Sequence, residues 1–424
     1  MFKTLQNAWG IPELRKKLLF TMLILLLYRV GNVIPLPYID VATLSDYFES
    51  TLSSTILGLY NAMSGSAFSQ ATVFALGIQP YINASIIIQL LTIAIPALER
   101  LAKEGGEEGK QKIARITRYS TVGLGLLLGW AYYMMLHNYE AQYGWAIITK
   151  EGFLPALVIV LAFAAGSSVV MWLGEQITEH GIGNGISMIL FANIISGLPA
   201  GLNTLFSMGW FAIPVVVVMI ALVLFIIFIN DAERRIPVQY AKRVVGRKIY
   251  GGQNTNLPIK VAMSGVMPVI FASSICSIPG TIATFAGKTD GNWYKYVFSN
   301  TSWVYLAIYV LLIFFFSWFY STIQYDPVEI ANNMKKNGGF IPGFRPGKPT
   351  ADFIQKVINK IIVFGSVYLG VVALLPIIAG NFMPAVRNLA IGGTSVIIVV
   401  GVALETVKQL EAQMLMRHYK GFLE

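Results

Sequence analysis

Ten separate stretches of mostly apolar residues dictate what this chain can become, because each approaches the roughly twenty residues needed to cross the hydrocarbon core of a bilayer. They cover 18–34, 74–96, 119–137, 153–174, 185–206, 211–229, 261–286, 302–323, 357–380 and 388–404. In lipid a backbone must satisfy its own hydrogen bonds, and apolar runs of this length do so as helices. Only 12% of the 424 residues are charged and 55% are hydrophobic, which is too little charge to coat a soluble body of this size. The sequence therefore describes an all-α polytopic membrane protein.

A formal charge of +10 would suggest nucleic acid in a soluble chain; here the placement of the charges decides. Lys and Arg number 4 before residue 18, 6 in 97–118, 7 in 230–260, 6 in 324–360 and 3 after 404. The alternate loops hold only Lys150, Lys288, Lys295 and Arg387. The positive-inside rule then puts both termini in the cytoplasm. Arg29, inside the first span near its outer end, reads as a snorkelling side chain. The leader mixes Lys3, Arg15, Lys16 and Lys17 with Phe2, Leu5, Trp9 and Leu14, and no small-residue cleavage site follows. That predicts a retained first span preceded by an amphipathic helix at the membrane surface.

One pattern recurs 188 residues apart. Gly77-Ile78-Gln79-Pro80-Tyr81-Ile82-Asn83-Ala84-Ser85-Ile86-Ile87 returns as Gly265-Val266-Met267-Pro268-Val269-Ile270-Phe271-Ala272-Ser273-Ser274-Ile275. Prolines are costly inside a helix, so two of them with matching neighbours in spans two and seven argue for a duplicated unit. Ten spans divide into two sets of five, over residues 1–206 and 207–424. An odd number per set means that the second enters the membrane upside down, as an inverted repeat requires. A weaker echo links Ser187-Met188-Ile189-Leu190 to Ser395-Val396-Ile397-Ile398. Pro80 and Pro268 are expected to kink their helices.

Between spans one and two, residues 56–70 are too long for a turn and too broken for a span, with Gly58 and Ser64-Gly65-Ser66 among Leu57, Leu59, Met63 and Phe68. An outer-surface helix and a re-entrant segment buried in protein are equally compatible with this composition. On the cytoplasmic side, Arg234-Arg235-Ile236-Pro237-Val238-Gln239-Tyr240-Ala241-Lys242-Arg243, followed by Gly246-Arg247-Lys248, predicts a projecting hairpin. A second long basic loop holds Gly343-Phe344-Arg345-Pro346-Gly347. Topology and attraction to anionic lipid account for such charges, but both loops exceed what a connection needs.

Signs of chemistry are missing. Glu104-Gly105-Gly106-Glu107-Glu108-Gly109-Lys110-Gln111 lacks the first glycine, the Ser or Thr and the preceding strand of a phosphate loop. His137, His180 and His418 show no ligand spacing and read as surface residues, and Cys276, the lone cysteine, reads as a small buried hydrophobe. Glu175-Gln176-Ile177-Thr178-Glu179-His180 places carboxylates at a cytoplasmic turn without any sign of convergence. No cofactor, metal or nucleophile is called for. An ion-coupled transporter would keep a charge at mid-membrane; these spans offer Asn83, Gln89 and Asn193 instead. Aliphatic residues from the duplicated helices, Ile78, Ile82 and Ile270, could instead close a path by dewetting.

Five ordered motifs now identify a resemblance over essentially the whole length. They are Tyr28-Arg29-Val30-Gly31 with Ile34-Pro35-Leu36-Pro37; Phe74-Ala75-Leu76-Gly77-Ile78 through Gln89-Leu90-Leu91; Trp172-Leu173-Gly174-Glu175-Gln176-Ile177-Thr178-Glu179 with Gly181-Ile182-Gly183-Asn184-Gly185-Ile186-Ser187; Tyr240-Ala241-Lys242-Arg243; and Gly343-Phe344-Arg345-Pro346-Gly347. In these the chain resembles the SecY-type protein translocase channels. The resemblance implies two inverted five-helix halves around an hourglass pore that passes secretory polypeptides and releases transmembrane segments sideways. Carried over by position, the waist is Ile78, Ile82, Ile186, Leu190, Ile270 and Ile398, with Leu190 where isoleucine is common. Residues 55–70, including Leu57, Gly58, Met63, Gly65 and Phe68, would form a plug. Asn83, Ile86, Ile87, Ser274 and Ile275 would line a lateral gate made by spans two, three, seven and eight. Arg234, Arg235, Lys242, Arg243, Arg247, Lys248 and Arg345 would dock the motor ATPase SecA or the ribosome, so that the partner, not this chain, supplies energy. SecE and SecG are the implied membrane partners, with preproteins and nascent membrane proteins as substrates in the cytoplasmic (inner) membrane.

Overall fold

The structure is a computed structural model that describes residues 2–48, 56–144, 146–240, 243–245, 248–250, 254–263, 265–285, 302–382 and 393–420. Lys242, Arg247, Lys288, Lys295, Arg387, residue 55 of the plug segment and the first residues of the tenth apolar stretch lie outside that set.

Each of the ten apolar stretches coincides with at least one helix. In chain order these are α1 (Phe2–Gly10), α2 (Pro12–Gly31), α3 (Val41–Tyr47), α4 (Ile56–Ser64), α5 (Gln79–Ala94), α6 (Pro96–Lys103), α7 (Gly106–Tyr143), α8 (Phe153–His180), α9 (Gly185–Ser196), α10 (Leu198–Ser207), α11 (Ala212–Asp231), α12 (Met267–Phe285), α13 (Trp303–Gln324), α14 (Pro327–Lys336), α15 (Lys348–Phe382) and α16 (Gly393–Lys420). Among the described residues five helical spans are long and apolar enough to cross a membrane unaided, and α5 with α6 makes a sixth, bent by 105° at Ile95-Pro96. The remaining stretches fall short for local reasons. The N-terminal part of α2 carries Arg15, Lys16 and Lys17, α7 begins in the charged 106–118 segment, and α12 begins only at Met267 although its stretch opens at residue 261.

The duplicated halves pack alike. In the first, α5 contacts α7, α7 contacts α8 and α8 contacts α9; in the second, α12 contacts α13, α13 contacts α15 and α15 contacts α16. The sets meet where α12 touches α4, α5 and α7, and where α16 touches α9. Water does not drive helices together in lipid, so close backbone approach does much of the holding. A Cβ on Gly185 would collide with the Gly174 carbonyl across α8 and α9, and one on Gly166 would collide with the Val73 carbonyl.

The leader differs from expectation. Ala8 and Leu14 are buried with Ile182 and Leu410, and the Thr4 hydroxyl donates to Glu411 at 3.1 Å. Its apolar face is therefore spent partly on the end of α16 rather than wholly on the membrane surface. The two long basic loops also join. Strand β1 (Glu233–Tyr240) pairs antiparallel with β4 (Asn254–Lys260), and β5 (Gly339–Phe340), from the second loop, pairs with the far end of β1. Between β1 and β4 lies the predicted hairpin, β2 (Arg243–Val245) against β3 (Lys248–Tyr250).

Candidate functional site

The two copies of the repeat share a backbone geometry as well as residues. Gly77 and Gly265 both adopt a left-handed φ, 54° and 59°, and each N–H donates back three residues, to Phe74 and Ala262. A left-handed glycine there lets the chain turn sharply into a helix two residues later. The Tyr81 and Ile82 amides then donate to the Ile78 carbonyl at 3.1 Å each, and the Val269 and Ile270 amides to Val266 at 3.1 and 3.3 Å. This corrects the expected role of the prolines. Pro80 and Pro268 occupy the second position of α5 and α12, where no N–H is needed, so they begin helices and do not kink them. Within α12 it is Pro279 that lies in the helix interior.

Aliphatic side chains from the first turns of α5 and α12 and from the second turns of α9 and α16 share one apolar core. Ile78, Ile82, Leu190, Ile270 and Ile398 are at most 2% exposed and belong to one apolar cluster, with Ile186 half-buried against it. Met63, from the 56–70 segment, joins the same cluster.

That segment is buried in protein, which closes the alternatives its composition left open. Helix α4 packs on α9 and α12, and Leu57 and Phe68 are buried in a second apolar cluster, while Gly58 is half-buried. Its irregular end is satisfied from neighbouring helices, as non-helical backbone at membrane depth must be. Asn193 uses both amide protons, one to the Met63 carbonyl at 2.7 Å and one to the Tyr28 hydroxyl at 2.9 Å. The Asn32 amide donates to the Ser64 carbonyl at 3.2 Å, and the Tyr132 hydroxyl to the Phe68 carbonyl at 2.8 Å. Gly65 sits at φ 67°, where an added Cβ would lie 2.9 Å from the Arg29 guanidinium and 3.0 Å from the Asn193 oxygen. Arg29 itself donates to the Ala192 carbonyl at 2.6 Å. It is thus bound to α9 beside the segment and does not snorkel to an interface.

The seam between α5 and α12 carries the predicted Asn83, Ile86, Ile87, Ser274 and Ile275. Ile86, Asn83 and Ser274 are buried, Ile275 is half-buried, and Ile87 is exposed. Across this seam the Tyr60 hydroxyl of α4 is hydrogen-bonded to Asn83 on α5 and to Ser277 on α12. The Asn83 amide oxygen and the Ser274 hydroxyl are buried without a hydrogen-bond partner among the described residues. The sequence signal for Tyr28, Asn32, Tyr60 and Asn193 was faint, a polar atom in an apolar run whose partner lies tens to more than a hundred residues away.

On the sheet, Ile236 and Val238 of β1 turn into a third apolar cluster with Ile259, Met334 and Ile354, leaving Arg234 and Arg235 exposed. Arg243 and Lys248 lie on β2 and β3. Arg345 is exposed on a loop held by Phe344 against Phe353, with ring centroids 4.2 Å apart, and by Thr350, whose hydroxyl donates to the Arg345 carbonyl at 2.8 Å. Arg234, Arg235 and Arg345 are thus exposed on loops joined by the β1–β5 pairing.

Comparison with known proteins gives a consistent result. A family model described as SecY matches residues 72–407. The chain is 45% identical over 441 residues to the protein translocase subunit SecY of Streptomyces galbus, covering 100% of each. It resembles a structure described as showing that the plug domain of the SecY protein stabilises the closed state of the translocation channel and maintains a membrane seal, with a TM-score of 0.65, 19% identity and 96% of each chain covered. It also resembles the channel of the canine ribosome–channel complex from the endoplasmic reticulum, with a TM-score of 0.62, 17% identity and 96% of each chain covered.

Proposed function

The chain belongs to the SecY family of translocase channel subunits, and from that premise we propose how its own residues divide the work. It is a multi-pass membrane protein and a channel, not an enzyme, that works with partners such as the ribosome. The closed waist is the group of Ile78, Ile82, Ile186, Leu190, Ile270 and Ile398, and the observation that carries this assignment is that all six, with Met63, pack into one apolar core shared by both halves. A narrow aliphatic ring repels water and so blocks ions without a charged gate.

Residues 56–70 act as the plug, seated by Asn193, Asn32 and Tyr132. The α5–α12 seam, with α7 and α13, is the lateral gate. Buried polar atoms without partners cost about 1–3 kcal/mol each, so Asn83 and Ser274 bias the seam toward opening, while Tyr60 ties both walls to the plug. The two halves, 1–206 and 207–424, move about this seam. Both termini face the cytoplasm, and the membrane is the cytoplasmic (inner) membrane. There the basic loop with Arg234, Arg235, Lys242, Arg243, Arg247 and Lys248, together with the Arg345 loop, docks SecA or a ribosome. SecE and SecG complete the assembly, signal-bearing preproteins and nascent membrane proteins pass through it, and the exposed arginines favour anionic lipid.

Reconstitution tests this. Vesicles holding the chain with SecE, given SecA and ATP, are expected to import a signal-bearing preprotein. Failure to import it, alongside uptake of a small solute, would replace the channel with an inverted-repeat secondary transporter.

A further inference from the structure

The end of α7 remote from its charged Gly106–Arg118 portion carries a group of side chains that the channel reading does not use. His137 and Glu140 stand three residues apart on α7, so they share a face, and Glu151 reaches them from the turn that precedes α8. We propose that His137, Glu140 and Glu151 bind a divalent transition-metal cation of the zinc class.

Each residue offers one ligand atom, an imidazole nitrogen or a carboxylate oxygen, and the three atoms lie within 4.8 Å of one another. For metal–ligand bonds of about 2.0 Å, tetrahedral neighbours sit roughly 3.3 Å apart. Glu151 is exposed and free to rotate by that difference. One imidazole with two carboxylates suits zinc and its neighbours, whereas magnesium and calcium take oxygen ligands alone.

A second observation is independent of the spacing. The Glu140 Oε2 atom is fully buried and has no hydrogen-bond partner among the described residues. A buried carboxylate oxygen without a donor is costly, and a cation at this point removes the cost. His137 is held by a parallel stack on Tyr133, with centroids 6.3 Å apart and planes 7° apart, which restricts the imidazole's orientation. A cavity of about 400 Å³, lined in part by Trp130, Tyr133, His137, Glu151 and Phe153, adjoins the group and leaves room for a water or further ligand.

The consequence would be mechanical. The turn carrying Glu151 is already tied to the 38–40 segment, with Thr149 N–H donating to the Tyr38 carbonyl at 3.0 Å and Asp40 N–H to the Ile147 carbonyl at 2.8 Å. A bound cation would join that turn to α7 two turns beyond Tyr132, which holds the plug segment at Phe68.

The test uses the full chain in lipid nanodiscs, stripped with a chelator and titrated with Co²⁺ and then Zn²⁺. One equivalent should bind, Co²⁺ should show ligand-field absorption that Zn²⁺ abolishes, and Mg²⁺ should not compete. His137→Ala, Glu140→Gln and Glu151→Gln should each weaken binding at least about tenfold, since even outer-shell changes cost that much, while His180→Ala should not. Glu151→Gln, on an exposed turn, keeps the test valid should a helix variant fold poorly. No stoichiometric binding, equal competition by Mg²⁺, or affinity unchanged in Glu151→Gln would overturn the site.

Discussion

Replacing Asn193 with leucine tests how the plug is seated. The side chain keeps its size but loses both donors, to the Met63 carbonyl at 2.7 Å and the Tyr28 hydroxyl at 2.9 Å. The Tyr28 hydroxyl and the Met63 carbonyl both lose their donor, while the Asn193 oxygen, itself buried without a partner among the described residues, is removed, so one of the two losses is offset. An unpaired buried acceptor costs about 1–3 kcal/mol. The penalty arises only while the segment is seated, because a displaced plug exposes that carbonyl to water. A central value of about 2 kcal/mol corresponds to roughly 30-fold in the ratio of displaced to seated plug, at about 1.4 kcal/mol per decade. In planar bilayers without partners, the fraction of time spent conducting ions should rise by that factor. Thermal unfolding should change far less, because the lost contacts join one local segment to α9. An open fraction within threefold of the parent, in a variant that folds normally, would refute the reasoning and leave the apolar contacts of Leu57, Met63 and Phe68 as what holds the plug.

Ile82→Gly or Ile270→Asp should raise resting ion leak, by wetting a ring that now excludes water; unchanged conductance in the same bilayers would remove these residues from the waist. Arg345→Glu should abolish SecA-driven import while expression and ion conductance stay normal, since the side chain is exposed and its loop is held by Phe344 and Thr350; normal import would refute the docking role. Gly77→Ala should destabilise the chain by about 1 kcal/mol or more, for a side chain forced to φ 54°, whereas Pro80→Ala should shift it by less than about 0.5 kcal/mol, a first-turn proline being dispensable. Melting temperatures in detergent compare the two; equal losses would contradict the placement of Pro80 at the start of α5.

Tyr60→Phe separates the gate from the plug. It removes one hydroxyl from a seam that already holds an unpaired Asn83 oxygen and Ser274 hydroxyl. Cross-linking of cysteines placed at Ile86 and Ile275, which leaves Asn83 and Ser277 in place, should fall in the variant before any partner is added. Undiminished cross-linking would show that α4 does not tie the walls.

Much of the architecture was legible in the residues alone. The number of apolar stretches and the segregation of basic residues reflect bilayer thickness and charge, which act on each segment separately. The repeat starting at Gly77 and Gly265 was visible because a duplicated turn keeps its glycine, and the five ordered motifs were enough to indicate the family. Local chemistry also misled where the deciding partner was distant. The repeat's prolines looked like kinks until the helix starts placed them in a first turn. Arg29 looked like a snorkelling cation until Ala192, 163 residues away, supplied its carbonyl. The two basic loops looked separate until β5 paired with β1. His137, read as a surface residue, is exposed, and what the sequence did not show is that Glu140 and Glu151 neighbour it once a turn folds back. Spans, charge asymmetry and repetition are properties of a segment and its solvent, so the sequence determined them by itself. Which carbonyl an asparagine holds, and which helices one tyrosine joins, depend on atoms a few ångströms apart in space but far apart along the chain, and only the tertiary structure decided those.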